Sequence, residues 1–199
     1  MTNKHFTSIV LALGLAFSAT VAGAAERVPL RADNAAVDVL FSPQDDISMY
    51  LADYISKAQR RVWLAGYTFT QSELARAIVQ AKERGLDVRV VLDGSEAGEK
   101  YSGATYFRNA GVAVWINERH AVVPNGRPAL MHHKFVVCDE DRVGFGSANF
   151  TKAAMNGRRG GDALKSNAEN FNLFVGVPGL VKQYATEFER LTAESSRAR

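Results

Sequence analysis

Apolar positions along this chain change their period several times, and each change marks an element. Val37 to Phe41 alternates like a short strand and stops at Ser42-Pro43. Ile47, Tyr50, Leu51, Tyr54, Ile55 and Ala58 then recur with the spacing of one helical face, and Asp45 or Asp46 is placed to cap the first turn. Arg61 to Phe69 is a second strand with a mostly apolar body. Thr70 and Glu73 have the spacing of a capping box, predicting a helix that turns Leu74, Ile78 and Ala81 inward. Lys82 and Arg84 suit the last turn of that helix and Gly85 its stop. Asp87 to Asp93 is a third strand. After a polar connection from Gly94 to Gly103 come a short helix through Tyr106 and Phe107 and a fourth strand, Val112 to Ile116.

A long loop, Asn117 to Leu130, leads into the stretch on which the rest is organised, Met131 to Thr151. Its apolar block Phe135-Val136-Val137-Cys138 has strand character, and Val143 to Gly146 pairs behind it through a tight Glu140-Asp141 turn. Asn156 to Ser166, with three glycines and three basic residues, has no periodicity and is expected to be a loop. Phe171 to Val177 is a last strand. Pro178 opens a closing helix with Leu180, Val181, Tyr184, Phe188 and Leu191 on one face. Strands alternating with helices predict an α/β domain, a mixed β-sheet flanked by helices.

Composition changes this picture at the N-terminus. Lys4 and His5 precede an apolar run from Ile9 to Phe17, and Ala22-Gly23-Ala24 is a small-x-small site, the layout of a cleavable signal peptide over residues 1–24. The expectation is a periplasmic or secreted protein with one catalytic domain over residues 25–199. No other stretch is long and apolar enough to span a bilayer, so no stable membrane insertion is expected. Of 24 basic and 21 acidic residues, only Lys4 falls in the leader. The formal charge therefore falls from +3 to +2 on cleavage, and any anion-binding patch has to be local. The single cysteine, Cys138, cannot form an intramolecular disulfide and sits in the apolar strand as a structural thiol.

The candidate chemistry lies in the polar anchors of the central stretch. Because a strand alternates its faces, His132 and Lys134 project to one side and His133 to the other. An imidazole beside an ammonium at the end of an apolar strand invites an anion. No cysteine pair, H-E-x-x-H run or dense carboxylate cluster points to a metal, so no metal and no cofactor is expected.

The pattern His132-x-Lys134-x4-Asp139, followed by Gly146-Ser147-x-Asn149, resembles the signature of the phospholipase D superfamily. The text around it is similar to that of the small bacterial endonucleases with one copy of the motif: Gly66-Tyr67-Thr68-Phe69-Thr70, the run from Gly146 to Ala154, and Asn167-Ala168-Glu169-Asn170. The likeness covers roughly Val37 to Leu191. The longer loop before His132 and the Gly/Arg-rich segment around Arg158-Arg159 depart from it. The resemblance implies a covalent phosphohistidine on His132, with Glu169 as the carboxylate orienting the ring. Lys134 would supply a point charge, Asn149 an amide donor and Ser147 a hydroxyl near the phosphate oxygens. For Asp139, at the far end of the strand, two roles stay open: a part in the chemistry, or holding a turn or pairing with a basic residue.

One histidine cannot serve as both attacking nucleophile and in-line acid on opposite sides of phosphorus. Family members with two motifs in one chain supply the second histidine themselves. This chain has one copy and no internal repeat, so the expectation is a two-fold homodimer with both His132 side chains at one interfacial site. The expected function is a metal-independent phosphodiesterase, a non-specific endonuclease on DNA, with RNA as a second polymer. Arg158 and Arg159 are candidate phosphate contacts, and with Lys152 and Lys165 they form either a cationic rim or only a solvated loop. Two alternatives remain: a phospholipase D acting on phospholipid head groups, and a non-catalytic nucleic-acid-binding homodimer.

Overall fold

The computed structural model describes residues 34–96, 102–118, 126, 129–157 and 166–198. Eight strands form one sheet in the order β1 (Ala36–Ser42), β7 (Glu169–Val175), β6 (Arg142–Gly146), β5 (Lys134–Cys138), β2 (Arg61–Gly66), β3 (Asp87–Asp93), β4 (Ala113–Asn117), β8 (Ser196–Arg197). The neighbours β2, β3 and β4 are parallel, joined through the crossover helices α2 (Ser72–Glu83) and α3 (Gly103–Asn109). The remaining pairs are antiparallel, and the turn after Cys138 folds β6 back onto β5. The sheet is mixed, as the alternation of strands and helices predicts.

Both faces of the sheet are covered, which is why its central strands are apolar runs instead of alternating ones. Val62 and Leu64 of β2 pack under α1 (Ile47–Ser56), α2, α3 and the short α4 (Lys152–Met155). Trp63 and Ala65, between them on the same strand, pack with Phe135, Val137 and Val143 against Val181, Phe188 and Leu191 of α5 (Pro178–Ala193). Trp63 stacks on Phe188 at 5.2 Å, while the guanidiniums of Arg61 and Arg89 lie 4.5 and 4.7 Å from its ring centre. Cys138 is fully buried, and burial pushes its thiol up to about 12, the property of a packing residue.

Several boundaries differ from those read in the sequence. The second strand stops at Gly66, three residues early, because Tyr67 and Thr68 turn away before Phe69 makes an isolated bridge with Phe150. Thr70 does not cap α2. Its backbone N–H is held by the Phe150 carbonyl, and Gln71 is the capping residue, accepting from the Glu73 N–H. Asp46 caps α1 through the Met49 N–H, while Asp45 instead accepts from the Phe41 N–H. The ladder of β5 begins at Lys134, with Met131 to His133 as the segment leading into it. The two-residue β8, which pairs with Trp115 and Ile116, is too short to carry a pattern. In β1 the apolar alternate positions Val37, Val39 and Phe41 face outward and Leu40 faces the core.

Asp139 closes the far end of β5. It has φ of +56°, a left-handed conformation that aspartate tolerates far better than most residues with a β-carbon. Its carboxylate accepts from the backbone N–H groups of Gln59, Arg60 and Arg61 at 2.8–3.2 Å and from the Arg142 guanidinium at 3.1 Å. Arg142 in turn donates to the Tyr54 carbonyl, so one buried ion pair ties the β5–β6 turn to the ends of α1 and β2. Burial alone would raise the Asp139 carboxyl, but the three N–H donors and Arg142 outweigh it and hold the group below its ordinary value of 3.8.

Asp139→Ala, which removes the acceptor and leaves alanine at positive φ, should lower the unfolding free energy by ~3 kcal/mol at pH 7. Asp139→Asn, which tolerates that φ, should lower it by about 1–2 kcal/mol. Because the folded carboxyl is depressed, its stabilisation is complete above the ordinary value and is lost as pH falls through the folded value. The Asn deficit should therefore shrink below pH ~4. Urea unfolding at pH 7 and pH 3 checks this, and an equal deficit at both would remove the charge from the explanation.

Candidate active site

The site lies at one end of the sheet, where β2 and β3 finish, β5 begins, β6 finishes and β7 begins. Gly66 closes β2 opposite Lys134, and Gly146 closes β6 opposite Phe171. At Gly146 a β-carbon would stand 2.1 Å from the Asn170 carbonyl oxygen, so only glycine lets β6 and β7 approach this closely. That carbonyl accepts from the Ser147 N–H at 3.0 Å and fixes where the Ser147-to-Asn149 turn departs.

On the β5 side, the segment before Lys134 is pinned from two directions. The Tyr67 N–H donates to the His133 carbonyl at 3.1 Å, and the Met131 N–H donates to Asp93 Oδ2 at 2.8 Å. The Tyr67 ring lies 4.8 Å from the His132 ring, tilted by 55°, and 5.5 Å from Lys134 Nζ. Lys134 is buried and donates to the His132 carbonyl at 2.7 Å. Burial pulls its ammonium below the usual lysine value, opposed by the nearby charge of Glu169. The His132 imidazole is lowered too, first by partial desolvation and next by Lys134, with Asp93 pulling the other way. A histidine held below its ordinary value is neutral at pH 7 and keeps a ring lone pair for attack or proton transfer.

On the β7 side, Ser147 Oγ donates to Glu169 Oε2 at 2.6 Å and accepts from the Asn170 N–H at 3.1 Å. Asn167 Nδ2 donates to the other Glu169 oxygen at 3.1 Å. Asn149 is half-buried, and its Oδ1 is buried without a hydrogen-bond partner among the described residues. Phe150, fully buried next to it, anchors the turn to Thr70 and Gln71 through its carbonyl. An open cleft of about 570 Å³ runs past Ser147, Glu169 and Asn170 to Phe41, Ser42 and Asp45. A smaller one of about 280 Å³ lies between Leu130–His133 and Arg190–Leu191 of α5. A hollow of about 350 Å³ at the starts of α2 and α3 holds none of the candidate residues.

His132 and Lys134 therefore meet around Tyr67, and Ser147 and Glu169 are bonded to each other close enough for Glu169 to act on Lys134. His133 points the other way, to Glu187 of α5 at 3.0 Å. Asp139 is not part of this group. Five residues along an extended strand put it ~16 Å from Lys134, and its hydrogen bonds are the structural ones described above. The bonds of Glu169 run to Ser147 and Asn167, and the expected ring-orienting bond to His132 of the same chain is not among them. Arg158 and Arg159 lie outside the described residues, as do Lys165 and His120. Three residues at the site were not singled out from the sequence: Tyr67, Asp93 and Asn167. Tyr67 and Asn167 stood within the family-like text, and Asp93 was the last residue of a strand, where α/β sheets place their ligand-facing groups. Among the described residues, no group of three or more histidine, cysteine or acidic side chains converges as a metal site requires.

Known proteins give this arrangement a context. Residues 51–192 match the family described as "Cardiolipin synthase, PLD-like domain". A phospholipase D of Rickettsia bellii is 29% identical over 134 residues, 67% of this chain and 58% of the relative. The mitochondrial cardiolipin hydrolase of Xenopus tropicalis is 37% identical over 138 residues, 69% of this chain and 57% of the relative. The chain thus spans less than two thirds of the length of these curated relatives. Among solved structures, Nuc of Salmonella typhimurium, a phospholipase D family member, superposes with a TM-score of 0.69 at 25% identity, covering 83% of this chain and 99% of Nuc. NucT of Helicobacter pylori shares the fold, with a TM-score of 0.70 at 21% identity over 82% of this chain and 99% of NucT. With a family match that runs from α1 through most of α5, the chain belongs to the phospholipase D superfamily of phosphodiesterases.

Proposed function

We propose that the protein is a metal-independent phosphodiesterase that hydrolyses DNA, and RNA as a second polymer, through a phosphohistidine on His132. The observation that carries this reading is the pairing of a neutral-leaning imidazole with a buried ammonium, His132 and Lys134, around the Tyr67 ring. A His132 ring nitrogen attacks phosphorus, a P–N bond forms and the P–O bond to the leaving group breaks. Lys134 stabilises the charge gathering on the non-bridging oxygens, in the position a metal ion takes in other phosphodiesterases, with Ser147 and Asn149 as further donors.

The leaving oxygen needs a proton from the opposite side of phosphorus, and no second histidine of this chain stands there among the described residues. We assign it to His132 of the partner subunit in a two-fold homodimer. The partner's His132, which takes up a proton as the substrate's negative charge binds beside it, gives that proton to the leaving oxygen. Water then attacks phosphorus, gives a proton back to that same ring, and frees the first His132. In this arrangement Glu169, bonded within its own chain to Ser147 and Asn167, orients a His132 ring either by turning from Ser147 or by meeting the partner's ring. An N-terminal signal peptide would put the mature enzyme in the periplasm or outside the cell.

The polymer substrate is supported by the near-complete coverage of Nuc, and the outward clefts suit a long ligand lying across the site. A phospholipid head group is the second reading, favoured by the names of the curated relatives, phospholipase D and mitochondrial cardiolipin hydrolase. Among the described residues no helix is long and apolar enough to cross a membrane.

Four outcomes are expected. Mature protein nicks plasmid DNA in the presence of a chelator far faster than it releases head groups from phosphatidylcholine or cardiolipin vesicles, and the reverse preference would select the second reading. Nicking weakens as salt rises from 50 to 200 mM, because phosphate contacts dominate. His132→Ala lowers the rate by ~10⁴-fold or more while the circular dichroism spectrum stays unchanged, and surviving hydrolysis would remove His132 as nucleophile. Light scattering gives twice the monomer mass. A monomer with full activity would end the shared-site proposal.

A further inference from the structure

The segment that carries His132 is not yet in the sheet, and it has to be held for its ring to have a fixed direction. The ladder of β5 starts two residues later, at Lys134. One anchor comes from β2, through the Tyr67 N–H, and the other from β3, two strands away from β5 in the sheet. That second anchor is Asp93, the last residue of β3, only 4% exposed. One of its oxygens accepts from the Ser95 N–H at 3.0 Å, an ordinary turn contact. The other reaches past the end of β2 to the Met131 N–H at 2.8 Å, one residue before the candidate nucleophile. The turn after β3 does not need that second bond, and Met131 itself is buried at 1% exposure, so the pair forms a dry clamp.

We propose that Asp93 is a positioning residue for the phosphodiesterase reaction, clamping the backbone before His132 so that the imidazole faces phosphorus. The inference rests on the reading of His132 as nucleophile. The groups around His132 are Lys134 and His133 from its own segment, Tyr67 after β2, Asp93 from β3, and Arg190 of α5, itself paired with Glu187. Lys134 and His133 disfavour the imidazolium and Asp93 favours it, so removing the Asp93 charge lets the imidazole value fall further.

The test compares wild type, Asp93→Asn and Asp93→Glu as dimers, with three readouts: the His132 ring titration by NMR, assigned against His132→Ala; kcat and KM on a fluorescent DNA duplex across pH; and thermal unfolding. Asp93→Asn should lower the His132 titration point, move both limbs of the pH–rate profile to lower pH, and reduce kcat by about 10- to 100-fold with KM within about twofold. Asp93→Glu keeps the charge but displaces the clamp. It should titrate near wild type and still lose kcat, and it serves as the folded variant if Asp93→Asn does not fold. A variant that lowers only the melting temperature, with His132 titration and kcat unchanged, would make Asp93 a turn residue and overturn the proposal. Wild type inert on every phosphodiester offered would instead overturn the reading of the site, and the His132 titration would still judge the clamp.

Discussion

Lys134 is the constraint on which the rest of the site depends. Taking an ammonium out of water on the central strand of a sheet costs several kcal/mol, and the surrounding structure answers that cost only in part. The carbonyl of His132 takes one of its three N–H donors, the Tyr67 ring lies against the cation, and Glu169 supplies an opposite charge nearby. What remains among the described residues is a cation only partly answered, next to a ring whose proton is disfavoured first by desolvation and next by that cation. A phosphodiester meets both needs at once. In the proposed reaction its charged oxygens would replace the water the lysine has lost, and its phosphorus would face an unprotonated nitrogen.

The two ends of β5 divide the signature between them. At the leading end, His132 and Lys134 meet around the Tyr67 ring. At the trailing end, Asp139 gathers three backbone N–H groups and a buried guanidinium into the turn that starts β6. The distance between those ends is a strand length, so the letters of one motif cannot all touch one phosphate. The trailing end still serves the leading one, because the β5–β6 register delivers Gly146 to its close approach against Asn170, and Ser147 follows directly from there.

The same economy suits a family whose members are named for different substrates. In the proposed reaction the strand ends would hold a phosphodiester between β5 and β7, and the described side chains there hydrogen-bond only with each other and the backbone. Selection among attached groups would then fall to the clefts that lead away from the site. The outward-facing Val37, Val39 and Phe41 on the edge strand belong to that outer region, since Phe41 also lines the cleft beside Ser147 and Glu169.

Much of this was readable along the chain. Periodicity located seven of the eight strands and the main helices, because a buried face imposes its repeat locally, residue by residue. The pairing of His132 with Lys134, and the opposite direction of His133, followed from strand alternation alone. Apart from the two-residue β8, too short to carry a pattern, the readings that failed did so where a deciding contact was distant. Thr70 and Glu73 matched a capping box, yet the Phe150 carbonyl, eighty residues on, claimed the Thr70 N–H and passed the cap to Gln71. Asp93 looked like the end of a strand until folding brought its carboxylate to the Met131 N–H. Glu169 was expected at the histidine ring and is bonded to Ser147 and Asn167 instead. Sequence by itself determined which residue types could hold and attack a phosphodiester. Only the tertiary structure decided which of them meet, because convergence depends on sheet order and register, and these are properties of strands that lie far apart in the chain.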